Sequence, residues 1–397
     1  MTPMIRGNIC LNAHPAGCEA AVQAWVARAE AKAADIKANA KKAGKSLPKA
    51  VLVLGASTGY GLASRITAAF GCGAATIGVS MERQPSDKKP GTPGWYNNRA
   101  FDRAASEKGL FTKTIDADAF ANETREKVIE LAKEEGIVFD QLIYSLASPV
   151  RLEPSTGIMH RSVLKPLGSS FSGLSLDVLS GALSKVSIEP ANEEETKATV
   201  KVMGGEDWEL WVKSLKNAGI LSKNFVSLAY SYIGPSHTSG IYRGGTIGKA
   251  KEHLEKTAKE MNAWLKPYGG SAFVSINKAV VTRASSVIPV VALYVASLFK
   301  VMKEKNLHED CLDQLLRLYA DRLFADGKVP TDPEGRIRMD DREMLDEVQA
   351  EVAIRFTNAT ESNLKEITDF DGFKQDFLEA HGFAVKGVNY DIEPSLI

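Results

Sequence analysis

Residues 51–71, VLVLGASTGYGLASRITAAFG, run from an unbroken apolar stretch through three closely spaced glycines into a helix-forming sequence. The spacing Gly55-x3-Gly59-x-Gly61 falls where a buried strand gives way to a helix. Glycines at that junction let the backbone turn sharply and approach a pyrophosphate. Its charge is then met by backbone N–H groups and by the positive end of the helix. A glycine pattern alone is weak, but strand before and helix after is the context that a dinucleotide-binding turn requires.

Working outward, the same alternation of short apolar runs and longer helical stretches continues through AATIGVS (74–80), FTKTID (111–116) and FDQLIYSLAS (139–148). Strands buried on both faces and separated by helices make a parallel sheet of βαβ units. The pattern becomes polar and turn-rich between about 150 and 223, then returns in NFVSLAYSYIG (224–234) and GSAFVSINKAVVT (270–282). The fold class expected is α/β, a Rossmann-type doubly wound parallel sheet with helical excursions covering a substrate site. The regions expected are an N-terminal extension (1–48) carrying a surface helix over 18–43, a dinucleotide-binding half (49–150), an excursion (151–223), a catalytic half (224–306) and a mainly helical C-terminal region (307–397), together one compact unit.

The second apolar run ends in GVSMERQ, which puts Glu82 where a carboxylate accepts hydrogen bonds from adenosine ribose hydroxyls and repels a 2′-phosphate. NADH is therefore preferred over NADPH, although the adjacent Arg83 could accommodate a phosphate, and Met81-Glu82-Arg83 also reads as a solvated strand end. The later strand ends, Asp116-Ala117-Asp118-Ala119 and Ser145-Leu146-Ala147-Ser148, lie where further cofactor contacts arise, or serve as helix N-caps.

A nicotinamide enzyme needs a group that stabilises charge at the reacting carbonyl. In IYRGGTIGKAK (241–251) a tyrosine precedes two lysines. A phenol with a reference pKa of about 10 is a good donor at neutral pH, and a nearby ammonium stabilises its anion. On an unbroken helix a separation of seven returns to one face, which favours Lys249 as the partner of Tyr242 over Lys251. Gly244-Gly245 is a plausible helix entry, and a helix starting there leaves Tyr242 on a preceding loop, where the face argument fails. Without the glycine turn upstream, the tyrosine reads as a turn anchor and Lys249, Lys251 and Glu252 as a solvated surface. Tyr230 and Tyr232, two apart at a strand end, share a face and are either core aromatics or substrate contacts.

These residues carry a resemblance. GASTGYG, YSLASPVR, SYIGP, Tyr242-x8-Lys251 and NKAVVTRASSVIP occur in the order found in the trans-2-enoyl-CoA reductases and the related FabV-type enoyl-acyl-carrier-protein reductases. The chain resembles that family from NICLNAHPAGC (8–18) through GTPGWYNN (91–98) to HGFAVKGVNYD (381–391). The resemblance implies Tyr242 as proton donor and Lys251, not Lys249, as its partner. It implies that Gly55, Ala56, Ser57, Thr58, Gly59 and Tyr60 hold the pyrophosphate of NADH and that Met81 and Glu82 hold the adenosine ribose. Asp118, Ala119, Leu146 and Ala147 would take further parts of the cofactor, Val280, Val281 and Thr282 the nicotinamide side, and Tyr232 the substrate. The implied reaction is NADH-dependent reduction of a trans-2-enoyl thioester, with CoA as the preferred carrier, acyl carrier protein as the alternative, and a monomer as the working form. A short-chain-type carbonyl reductase and a non-catalytic nucleotide-binding protein are the competing readings.

Composition agrees with this class. In 397 residues, 49 basic side chains balance 49 acidic ones, so no field points to nucleic acid or an anionic membrane. Four scattered cysteines and a polar N-terminus without an apolar signal core suggest a reducing cytoplasm. The apolar run Ala284–Phe299 is short for a bilayer and contains Pro289; it is read as a buried helix, either the wall for an acyl chain or plain core. The six histidines show no metal-binding spacing, no serine-hydrolase elbow occurs, and His160 reads as an incidental loop histidine.

Overall fold

The computed structural model describes all residues except Ala284, Val287, Pro289 and Ile397. Seven parallel strands form its main sheet: β1 Ala50–Leu54, β2 Ala75–Ser80, β3 Thr112–Asp116, β4 Phe139–Tyr144, β5 Leu221–Ser231, β6 Ser271–Ile276 and β7 Ile337–Arg338. Their order is β7-β6-β5-β4-β1-β2-β3, every neighbouring pair parallel. The chain thus winds outward from β1 to β3, crosses back to lay β4 beside β1, and winds out the other way. The crevice beyond the C-terminal ends of β1 and β4 is the topological switch point, where ligands bind in open α/β sheets.

Each strand alternates its side chains between two cores. Val51 and Val53 pack with Val26 of α1 (Pro15–Lys42), Leu62 and Ile66 of α2 (Gly59–Ile66), and Phe101 of α3 (Pro93–Glu107). Leu52 and Leu54 pack on the other side with Val128 of α4 (Asn122–Glu134), Trp208, Trp211 and Met261. The excursion contributes α5 (Glu193–Met203) and α6 (Glu206–Asn217), and α7 is Thr246–Leu265. Both tryptophans of α6 are fully buried, and their ring N–H groups donate to Ser227 Oγ (2.7 Å) and to the Ala119 carbonyl (2.9 Å). Truncating such a side chain costs ~3–5 kcal/mol.

A third core lies off the sheet around α8 (Val291–Glu304), whose Leu293, Ala296 and Leu298 have no exposed surface. Chain order then gives α9 (Cys311–Leu318), on the α1 side of the sheet, and α10 (Asp346–Asn358) and α11 (Phe370–Glu379), which close on α8 through Val348, Val352, Phe373 and Phe377. The remaining contact comes from the excursion, which is more regular than its sequence suggests. It holds two antiparallel hairpins, Val150–Leu152 with Met159–Arg161 and Phe171–Leu176 with Leu183–Ile188, and the second sends Leu176 into the α8 core. Three strands stop well before their apolar runs end, β4 at Tyr144, β5 at Ser231 and β6 at Ile276, so Asn277–Thr282 forms a loop. Part of the run expected as a buried helix, Ala284, Val287 and Pro289, lies outside the described residues. Among those described, no helix is long and apolar enough to cross a membrane.

Close packing at the switch point depends on glycine. Gly55 has φ +81°, and a Cβ there would overlap the Ser145 carbonyl that follows β4. A Cβ on Gly61 would overlap the Gly55 carbonyl. Gly61→Ala must therefore push α2 away from β1. The expected cost is ~1–3 kcal/mol of stability, seen as a lower Tm, with at least tenfold weaker NADH binding by fluorescence titration; unchanged binding would show that the turn does not form the cofactor cradle.

Candidate active site

The glycine turn gathers the residues expected around a dinucleotide. Ser57 Oγ donates to Glu82 Oε1 at 2.6 Å, and Asn97 Nδ2 donates to the Ser57 carbonyl at 3.0 Å. The Gly55 and Ala56 N–H groups both donate to the Val79 carbonyl (2.8 and 3.1 Å), which fixes where the turn leaves β1. Across it, Gly59 faces Thr282, whose Cγ2 would lie 3.2 Å from an added Cβ, and Leu146 stands beside Gly55. Thr58 is the residue before α2, so the N–H groups of its first turn point toward this space. The Tyr60 side chain turns inward instead, its hydroxyl donating to the Lys278 carbonyl at 2.8 Å; only its backbone is available to a pyrophosphate.

Where the adenosine ribose is expected, Met81 is exposed and the Glu82 N–H donates to Asp116 Oδ1 at 2.7 Å. The Glu82 carboxylate is not turned to solvent; its side chain is 6% exposed and Arg283 Nη1 lies 3.4 Å from it. A solvated strand end therefore does not describe it. Neither later strand end caps a helix. Asp118 Oδ1 accepts from the Phe120 N–H at 2.9 Å and closes a turn before α4, and no helix follows Ser145–Ser148. Ala119 is held in place by the Trp211 indole bonded to its carbonyl.

The structure separates the two lysines. The helix begins at Thr246, after Gly245, so Tyr242 lies on the turn before α7 and the seven-residue face argument does not apply. A Cβ on Gly245 would lie 2.7 Å from the Lys165 carbonyl, the point at which the excursion grips this turn; the Thr246 N–H donates to that carbonyl at 3.0 Å. Lys249 points outward and pairs with Glu252 at 2.8 Å. Lys251 points inward, with Nζ 3.5 Å from the Tyr230 carbonyl at the end of β5. Burial lowers the Lys251 pKa to about 8, with Glu255 opposing. Burial raises that of Tyr242, which stays a protonated donor at neutral pH.

Tyr230 and Tyr232 do not share a role. Tyr230 faces α2, its hydroxyl 2.6 Å from Ser64 Oγ. The strand ends at Ser231, so its alternation no longer governs Tyr232, whose ring meets the Tyr242 ring edge-on with centroids 5.1 Å apart. The Tyr232 hydroxyl donates to Glu343 Oε1 at 2.8 Å, Tyr294 of α8 donates to the same oxygen at 2.6 Å, and the Ala279 N–H donates to Oε2 at 2.7 Å. Burial raises the Glu343 pKa, opposed by the Tyr294 bond and by the charge of Lys278. Hydrogen bonds to a charged group contribute ~1.5–3 kcal/mol each, and the three here offset the desolvation of the buried carboxylate only in part. Nothing in the local sequence DDREML marks Glu343 out. Val280 and Val281 follow Ala279, and Tyr232, Val281 and Ile288 pack, partly buried, against the α8 core; the α8 residues themselves pack as core. A cavity of about 140 Å³ opens beside Thr58, Gly59 and Val280–Arg283 and is closed by Trp25, His308 and Asp376. His160 bonds Glu153 (2.9 Å) within the first hairpin.

Three family models cover the chain. Residues 1–87 match the NAD(P)H binding domain of trans-2-enoyl-CoA reductase, residues 89–324 the trans-2-enoyl-CoA reductase catalytic region, and residues 331–393 an enoyl reductase FAD binding domain. The last description does not suit the residues present. Segment 331–393 offers no strand–glycine turn–helix for a flavin pyrophosphate, and three of its aromatic side chains, Phe370, Phe373 and Phe377, are buried in the α8 core.

A trans-2-enoyl-CoA reductase [NADH] of Treponema denticola is 56% identical over 393 residues, covering 98% of this chain and 97% of its own. An enoyl-[acyl-carrier-protein] reductase [NADH] of Flavobacterium johnsoniae is 51% identical, covering 98% and 96%. The crystal structure of the Treponema denticola trans-2-enoyl-CoA reductase in complex with NAD superposes with a TM-score of 0.95, covering 99% of this chain and 98% of that one. That of the Clostridium acetobutulicum enzyme in complex with NADH, 41% identical, gives 0.94, covering 100% and 98%. With a doubly wound sheet, a glycine turn at its switch point and these likenesses along its whole length, the chain belongs to the trans-2-enoyl-CoA reductase family.

Proposed function

We propose that this chain reduces the 2,3 double bond of trans-2-enoyl-CoA with NADH, and that Tyr242 and Lys251 carry the proton chemistry. The observation supporting those roles is the placement of Tyr242 on a pinned turn, with Lys251 rather than Lys249 turned inward to the end of β5. Bound NADH supplies hydride to the β-carbon of the substrate, held by the turn 55–60, Met81-Glu82, Asp118-Ala119, Leu146-Ala147 and Val280–Thr282. As the β-carbon gains hydride, the double-bond electrons move toward the thioester oxygen. Tyr242 donates a hydrogen bond to that oxygen and stabilises the enolate; a well-placed donor of this kind is worth ~10²–10³ in rate. Lys251 binds the cofactor ribose and, as an ammonium, favours the charged state. Tyr232 lies against the phenol and narrows the space for the enoyl group. The α-carbon then takes a proton and the saturated thioester leaves.

CoA is taken as the carrier because the relative at 56% identity bears that name, and the carrier protein is the alternative on the name of the relative at 51%. We further take the working form to be a cytoplasmic monomer. The four cysteines are free thiols, which a reducing compartment favours.

Crotonyl-CoA added to the protein should cause NADH oxidation, faster than with NADPH and faster than with a crotonyl carrier protein; no oxidation by folded, NADH-binding protein would overturn the reading in favour of a carbonyl reductase or a non-catalytic protein. Tyr242→Phe should bind NADH normally and lose ~10²-fold or more in kcat. Lys251→Met should lose far more activity than Lys249→Met, and the reverse order would reassign the lysine. The ammonium of Lys251 is present below its pKa of about 8 and lost above it. Wild-type kcat/KM should therefore fall as pH rises through that value, and the Lys251→Met profile should lack this limb.

A further inference from the structure

Glu343 lies in the C-terminal region, 111 residues beyond Tyr232, and has no exposed surface. A carboxylate so placed needs hydrogen-bond donors around it, and an ionised one is acceptor-only. Its donors come from three separate elements. Tyr232 follows β5, Tyr294 belongs to the helix at the centre of the third core, and Ala279 lies within the Asn277–Thr282 loop. Gln349 of α10 holds the arrangement from behind, its Nε2 donating to the Glu343 carbonyl at 2.7 Å and to the Tyr294 hydroxyl at 3.2 Å.

The direction of these bonds fixes the Tyr232 ring. With its hydroxyl anchored on Oε1, the ring presents itself to Tyr242 at an interplanar angle of 76°, an edge-to-face contact. The bond to Ala279 fixes the start of the loop whose Thr282 faces Gly59 across the cofactor turn. One buried side chain therefore connects the proton donor's neighbour with the loop on the nicotinamide side. We propose that Glu343 is a positioning residue for the reduction, which holds Tyr232 against Tyr242 and so sets the direction of the phenol. The proposal rests on the role of Tyr242 given above. It also assigns segment 331–393 a part in the site that needs no flavin.

A glutamine at 343 keeps the shape but has one acceptor oxygen for two sides: with that oxygen on the Ala279 N–H, its NH₂ faces the two phenols, which must then accept rather than donate, so the bond that directs the Tyr232 hydroxyl is reversed. Glu343→Gln should lower kcat with crotonyl-CoA at least tenfold, while the NADH dissociation constant stays within about threefold. The same substitution made in Tyr232→Phe, where the anchored hydroxyl is already gone, should cost less than a further twofold. Glu343→Asp keeps the charge, shortens the reach and should follow the same pattern; it serves as the second variant if the glutamine protein shows no cooperative melting. Equal losses of kcat in the two backgrounds, or a loss that only tracks Tm, would overturn the proposal and leave Glu343 with a purely structural role. Near-normal turnover by Tyr242→Phe would instead remove the reading on which the proposal depends, and that outcome is separate from the Glu343 measurements.

Discussion

Where β1 ends, the carbonyl of Ser145 occupies the space into which a side chain at residue 55 would project, and the carbonyl of Gly55 does the same to residue 61. This contact between two backbones determines how near α2 can come to the switch point. With it in place, the N–H groups at the start of α2 look into the crevice between β1 and β4, Ser57 reaches Glu82 and Gly59 meets Thr282. Behind the turn, the fully buried Arg65 of α2 bonds Asp102 of α3 and the Thr112 and Thr114 hydroxyls of β3, with its guanidinium 4.2 Å from the Phe101 ring centroid. Helix, strand and turn are thereby held in one register, and the cofactor face inherits it.

The other half of the site is built from chain ends rather than element interiors. β5 stops at Ser231, α7 starts at Thr246, and the turn between them is gripped by Lys165 from the excursion. Holding Tyr242 on such a turn frees its direction from helix periodicity, at the cost of needing neighbours to fix it. Tyr232 and, through it, Glu343 supply that constraint. Burial lowers the Lys251 pKa to about 8 and raises that of Tyr242, so the phenol keeps its proton at neutral pH.

What could be read in the sequence was what depends on local pattern. Fully buried strands such as AVLVL and the glycine turn after it are written in consecutive residues, and the doubly wound sheet follows from their alternation with helices. Periodicity pointed to Lys249 because it assumed a helix through residues 242–251, and Gly245 ends that assumption. The hairpins at 150–161 and 171–188 were missed because their strands are half-polar on both sides and give no clean alternation. The run NKAVVT looked like strand continuation. Its buried Lys278 backbone N–H instead bonds Gln314, and Ala279 bonds Glu343, partners 36 and 64 residues away. Long-range partners of that kind leave no trace in local spacing.

The central claim is the destination of the hydride, and the most direct measurement is its label. With NADH deuterated at the transferring C4 position and crotonyl-CoA, mass spectrometry and NMR of the product should find deuterium at C3 of butyryl-CoA, with the hydrogen added at C2 coming from solvent. Deuterium at C1 of a reduced aldehyde or alcohol, or its absence from the acyl product, would contradict delivery to the β-carbon and the account built on it.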